Sequence, residues 1–82
     1  MAKILIVDDQ ELMRDSLAAT LVREGHEVVA AYDGQAAIQK LTDRKFDLTI
    51  TDLKMPKMTG MELLAEAKKL RPDMPVVLMT AF

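Results

Sequence analysis

Four short runs that are apolar on both faces alternate with helix-patterned segments along 82 residues, and this alternation limits the fold more than any other feature. "KILIV" (3–7), "HEVVAAY" (26–32), "FDLTIT" (46–51) and "VVLMT" (76–80) read as strands. After the first of them, Met13, Leu17 and Leu21 fall at i, i+4 and i+8. That spacing predicts a helix over 10–24 with Gly25 just past its end. Asp33 suits the cap of a second helix through Leu41, which turns Ala37, Ile38 and Leu41 inward. Pro56 holds Met55 extended in a loop. "TGME" (59–62) then has capping-box spacing and opens a third helix to Leu70, which "RPDMP" ends. The order βαβαβαβ, with each helix a crossover, predicts an α/β fold with a parallel sheet covered on both sides. The length supports one domain.

All strands of a parallel sheet point their carboxyl ends to one rim. Asp8 and Asp9, Asp52 and Thr80 each follow a strand directly, so all four are expected there. In open α/β sheets the ligand crevice lies outside that rim, where strand order reverses. If the order is 2-1-3-4, the reversal falls between the first and third strands, the two that carry the acids. Two carboxylates ~4 to 5 Å apart repel by roughly 3 to 4 kcal/mol at an effective dielectric of ~20. Either one of them stays protonated or a cation sits among them. Cysteine is absent from the chain, and the nearby donors are carboxylates, carbonyls and water, a ligand set for magnesium rather than zinc. Singly, each residue has a plainer reading. Asp8 and Glu11 have the spacing of a capping box for the first helix, Asp52 suits a turn, and Thr80 suits a strand end. Their combined register outweighs those readings.

The totals narrow the function classes. A net charge of −2 without a basic run argues against direct nucleic-acid binding. No apolar stretch approaches the ~20 residues of a membrane span. The short apolar run after "MAK" stops at two aspartates, unlike a signal peptide, so a cytoplasmic protein is expected. His26 stands at the opposite rim and reads as a surface residue. Met55, Met58 and Met61 read as loop and core packing, and Lys54, Lys57, Lys68 and Lys69 as solvated charges.

"ILIVDD", "DLTITDLKMPKMTGMELL" and "PVVLMTA" together resemble the receiver domain of two-component response regulators, over essentially the whole chain. The central motif is similar to receivers of the nitrogen-regulatory class of enhancer-binding activators. The resemblance implies a flavodoxin-like, doubly wound sheet in the order 2-1-3-4. It also implies roles. Asp52 would be the phospho-acceptor, attacking the phosphohistidine of a partner histidine kinase. Asp9 would bind Mg²⁺ directly and Asp8 mainly through water, with Asp52 and the backbone carbonyl of Lys54 completing the ligands. Thr80 would be the switch that contacts the phosphoryl group, and the small Ala81 would leave the pocket open. Such a module is no classical enzyme; at most it phosphorylates itself from small donors.

Family members continue beyond the equivalent of Phe82 through a fourth helix, a fifth strand and a fifth helix, which bring an aromatic switch residue and a phosphate-binding lysine. Residues 1–82 are therefore expected to be a truncated, partial receiver with impaired phosphorylation. The uncovered fourth strand is expected to drive self-association, most simply as a two-fold dimer. Two other functions compete: an inert self-associating α/β fragment, and a small Mg²⁺-dependent aspartyl phosphohydrolase. The latter class places a second acid two residues after its nucleophile, where this chain has Lys54.

Overall fold

In the computed structural model, which describes residues 1–80, β1 (Lys3–Val7) lies between β2 (Glu27–Ala31) and β3 (Leu48–Asp52), with β4 (Val76–Met79) outside β3. Every pairing is parallel: Leu5 stands opposite Val29 and Thr49, and Thr51 opposite Leu78. Helices α1 (Glu11–Arg23), α2 (Gly34–Asp43) and α3 (Gly60–Leu70) make the crossovers. The 2-1-3-4 order of the flavodoxin-like fold is the expected one. Element ends shift slightly. His26 and Tyr32 lie outside β2, Phe46 and Asp47 precede β3, Asp52 falls within it, and Thr80 comes just after β4. Ala81, expected beside the site, lies outside the described residues.

Alternation along the strands sorts the sheet into two faces. Leu5, Val7, Ala31, Thr49 and Thr51 share the face on which α2 and α3 pack together, and Leu41, Leu63, Ala37 and Ala67 close the core there. The two threonines are fully buried, yet both hydroxyls are satisfied. Thr49 Oγ1 donates to Met74 Sδ at 3.3 Å and Thr51 Oγ1 to the Asp52 carbonyl at 3.1 Å. Both helix starts on this side follow their sequence signals. Asp33 caps α2 by accepting the Ala36 N–H at 2.8 Å. Thr59 and Glu62 form the reciprocal capping box of α3, at 3.2 and 2.9 Å.

The other face carries α1, and its apolar stripe is only partly covered. Ile4 and Ile6 are buried beneath it, but no residue of α1 itself is. Met13 is 43% exposed and Leu12 84%, while Leu17 and Leu21 are only half-buried. The reason is geometric. α1 packs on β1 and β2, and among the described residues no second helix lies beside it to close over its flanks as α2 and α3 do for each other. Its start is also not the capping box of the plainer Asp8 reading: Gln10 holds the cap position with no side-chain cap, and the Asp8 carboxylate accepts the Gln10 N–H at 2.9 Å. Gly25, with φ of 92°, follows the end of α1 as expected.

Two side chains expected in solvent are tethers. His26 is half-buried, and its Nδ1 accepts the Ala2 N–H at 3.0 Å, fastening the start of β1. Lys68 Nζ donates to the Met74 carbonyl at 2.6 Å and so ties α3 to the approach of β4. Among the described residues no helix is long and apolar enough to cross a membrane.

Candidate functional site

β1 and β3 run side by side with Val7 opposite Thr51, so their acids emerge together at the carboxyl ends. Asp8, Asp9 and Asp52 each offer a carboxylate oxygen, and these atoms lie within 4.8 Å of one another. An octahedral oxygen shell at ~2.1 Å places opposite ligands ~4.2 Å apart, a comparable span. The three differ in setting: Asp8 is buried, Asp52 half-buried and Asp9 exposed. Burial raises the Asp8 pKa above its ordinary value, and the charges of Asp52 and Asp9 push it the same way. The Gln10 N–H and the Arg14 guanidinium work in the opposite sense.

A cavity of about 190 Å³ opens at this rim, lined by Asp9, Gln10, Asp52, Leu53, Lys54 and Thr80. Thus the structure brings Thr80 and Lys54 to the same opening as two of the acids. The Lys54 N–H donates a long bond to Asp52 Oδ1 at 3.4 Å, and its side chain is exposed. The loop after Asp52 is pinned at four points. Leu53 N–H donates to the Met79 carbonyl and Gly60 N–H to the Leu53 carbonyl, both at 2.9 Å. Met55 is buried in the core, while Met58 packs against Gly34 at the start of α2. Met61 is exposed instead. Lys57 bridges this loop with a φ of 69°.

Sequence reasoning did not single out Gln10 or Arg14. Gln10 turns its N–H onto Asp8, and Arg14 Nη1 donates to the Asp8 backbone carbonyl at 3.0 Å. The only available signal was spacing: Arg14 lies one helical turn after Gln10 and so returns to the same rim. A larger cavity of about 360 Å³ lies between loops 45–47 and 70–74. It adjoins the opposite ends of β3 and β4, and Asp47 there is already engaged by the Lys3 N–H at 2.7 Å. The convergent acids mark the smaller cavity as the site.

Comparison with known proteins agrees with this geometry. Residues 4–82 match the model of the response regulator receiver domain family. The transcriptional regulatory protein GlrR of Escherichia coli is 42% identical over 80 residues, which cover 98% of this chain and 18% of GlrR. A CheY-like receiver domain protein from Methanospirillum hungatei superposes with a TM-score of 0.96 at 39% identity, over 100% of this chain and 66% of that one. The response regulator TrrA of Thermotoga maritima, solved with Mg²⁺-BeF, superposes with a TM-score of 0.94 at 36% identity, over 100% of this chain and 71% of TrrA. TrrA has also been solved in complex with the histidine kinase ThkA. The chain spans less than a fifth of the GlrR-type relatives and about two thirds of the solved receivers. Its sheet order, its acidic rim and the match along nearly its whole length make it a member of the response regulator receiver domain family, the regulatory phospho-acceptors of two-component signalling.

Proposed function

We propose that this chain takes a phosphoryl group from the phosphohistidine of a partner histidine kinase onto Asp52, in a magnesium-dependent step. The observation that supports it most is the convergence of the Asp8, Asp9 and Asp52 oxygens within 4.8 Å at one rim of the sheet. The Asp52 carboxylate is the nucleophile. Its O–P bond forms as the P–N bond to the donor imidazole breaks, and the imidazole nitrogen leaves with the electron pair and takes up a proton. Asp9 would hold the ion directly and Asp8 mainly through water, with Asp52 and the Lys54 carbonyl supplying the other protein oxygens. The ion, when bound, neutralises the phosphoryl oxygens. An oxygen-only donor set and a buried carboxyl with a raised pKa fit a site whose carboxylates outweigh the positive charge beside them. The Thr80 hydroxyl donates to the phosphoryl oxygen and links its presence to the surface around β4. A small donor such as acetyl phosphate serves the same nucleophile, giving self-phosphorylation without turnover of other substrates. The kinase complex of TrrA supports the partner class. A cytoplasmic location and no direct nucleic-acid contact by this segment go with the reading.

Titrating Mg²⁺ into the protein while following backbone amide shifts tests the site. Residues 8–10, 52–54 and Thr80 respond first if the reading holds, and uniform or absent shifts count against it.

The partner reading includes a second copy of the chain. Val77 is 47% exposed on the α1 face, next to half-buried Ile50 and Met79, and the outer edge of β4 is unpaired among the described residues. Such an edge templates pairing with another chain. Sedimentation velocity over a range of concentrations should show a dimer that Val77→Lys or Leu78→Lys weakens. A monomer persisting at high concentration removes this part of the proposal.

A further inference from the structure

We propose that Arg14 is a resident counter-cation of the acidic cluster: its positive charge stabilises the cluster without metal and, by repelling a divalent ion, holds down the cluster's affinity for one. The inference rests on the metal-site reading above and adds the residue that sets the affinity. Three observations carry it. Arg14 Nη1 donates to the Asp8 backbone carbonyl at 3.0 Å, which fixes the guanidinium at the turn from which Asp8 and Asp9 project. The Arg14 N–H donates to the Gln10 carbonyl at 3.0 Å, so the anchor is the first turn of a helix rather than a loose loop. Arg14 is also half-buried, and of the side-chain charges acting on Asp8 it is the one of opposite sign. Lys54, the basic residue lining the cavity, is exposed and reaches Asp52 through its backbone N–H.

The physics gives the direction. A fixed positive charge beside three carboxylates offsets part of their mutual repulsion when no metal is present. Toward a divalent ion among the same carboxylates that charge is repulsive, and doubly so. The attraction of Arg14 to the carboxylates is present in both states, so the coupling that lowers ion binding is the repulsion between the guanidinium and the ion. A guanidinium stays charged at every working pH, so the effect is constant.

The test measures the Mg²⁺ dissociation constant by amide shifts in the parent chain, Arg14→Gln and Arg14→Lys, at low and high sodium chloride. Arg14→Gln should bind Mg²⁺ roughly three- to tenfold more tightly at low ionic strength, with the gap narrowing at ~0.5 M salt. Arg14→Lys, which keeps the charge, should stay within about twofold of the parent. The metal-free melting temperature should fall in Arg14→Gln while the rise caused by Mg²⁺ grows. A residue that merely holds the turn would leave binding unchanged or weaken it on removal, and either result overturns the role of Arg14. A parent chain with no localised response at 8–10 and 52–54 overturns the metal-site reading itself.

Discussion

Gly60 sits directly on the backbone of Asp52: a side-chain carbon added at Gly60 would overlap the Asp52 carbonyl oxygen and lie 2.9 Å from the Leu53 Cα. The start of α3 is thereby packed against the residue proposed to carry the phosphoryl group. Both obstructing atoms are backbone, so the only relief is movement of the strand end. Gly60→Ala should cost ~1 to 3 kcal/mol of stability and shift Asp52. Gly34→Ala is the milder comparison, since it meets only the Met58 side chain, with Sδ at 2.5 Å and Cβ at 2.9 Å, so that Met58 must shift but the end of β3 need not. Urea unfolding should place Gly60→Ala well below Gly34→Ala in stability.

Acidity supplies a second expectation. Burial, then the charges of Asp52 and Asp9, raise the Asp8 pKa above its ordinary 3.8. The folded, metal-free chain therefore holds this proton more tightly than the unfolded chain. Its contribution to stability is complete below pH 3.8 and is lost as pH rises through the raised value. Asp8→Asn removes that loss, so urea unfolding without divalent ions should show its advantage over the parent growing from acid to neutral pH. Excess Mg²⁺ should shrink or reverse the advantage, because the parent gains more from binding.

The loop between Asp52 and α3 holds a strained residue. Lys57 has a φ of 69°, while the Met58 N–H closes back onto the Pro56 carbonyl at 2.7 Å. A side chain in the left-handed region costs roughly 1 to 2 kcal/mol, which glycine avoids. Lys57→Gly should stabilise the fold by ~0.5 to 1 kcal/mol, net of the extra entropy glycine loses on folding, and so raise the melting temperature. Calorimetry on the two proteins checks it, and a drop in stability would mean that the lysine side chain holds the loop.

The cap of α3 gives a fourth. Thr59 and Glu62 satisfy each other's backbone N–H groups at 3.2 and 2.9 Å. Thr59→Ala should cost ~1 kcal/mol by removing the side-chain acceptor of the Glu62 N–H. The same change should leave Mg²⁺ binding within about twofold, because the cap stands outside the carboxylate cluster.

Which of these features the sequence announces depends on whether the interaction is local. The α2 and α3 starts were legible at Asp33 and Thr59 because a cap joins residues three apart. The 3–7 strand was legible because it is apolar on both faces. The convergence of Asp8, Asp9 and Asp52 followed from parallel strands ending in acids, without any side-chain detail. The spacing of Met13, Leu17 and Leu21 announced the helix α1 but not its partial burial, since spacing fixes which residues share a helix face and not how much of it a sheet will cover. Asp8 was open to a capping-box reading with Glu11, and its real partner is the Gln10 N–H, a backbone donor that any residue supplies. Arg14, His26 and Lys68 were missed for the same reason. Each bonds to main chain, at Asp8, Ala2 and Met74, and main-chain partners leave no mark on residue type.

The central claim is that Asp52 accepts a phosphoryl group with the help of a divalent ion, and the intact mass of the 82-residue chain after exposure to acetyl phosphate tests it most directly. With Mg²⁺ present the parent should gain one phosphoryl group. The gain should vanish when the ion is chelated, and Asp52→Asn should show no adduct under either condition. An adduct that survives in Asp52→Asn, or forms equally well without a divalent ion, would contradict the account.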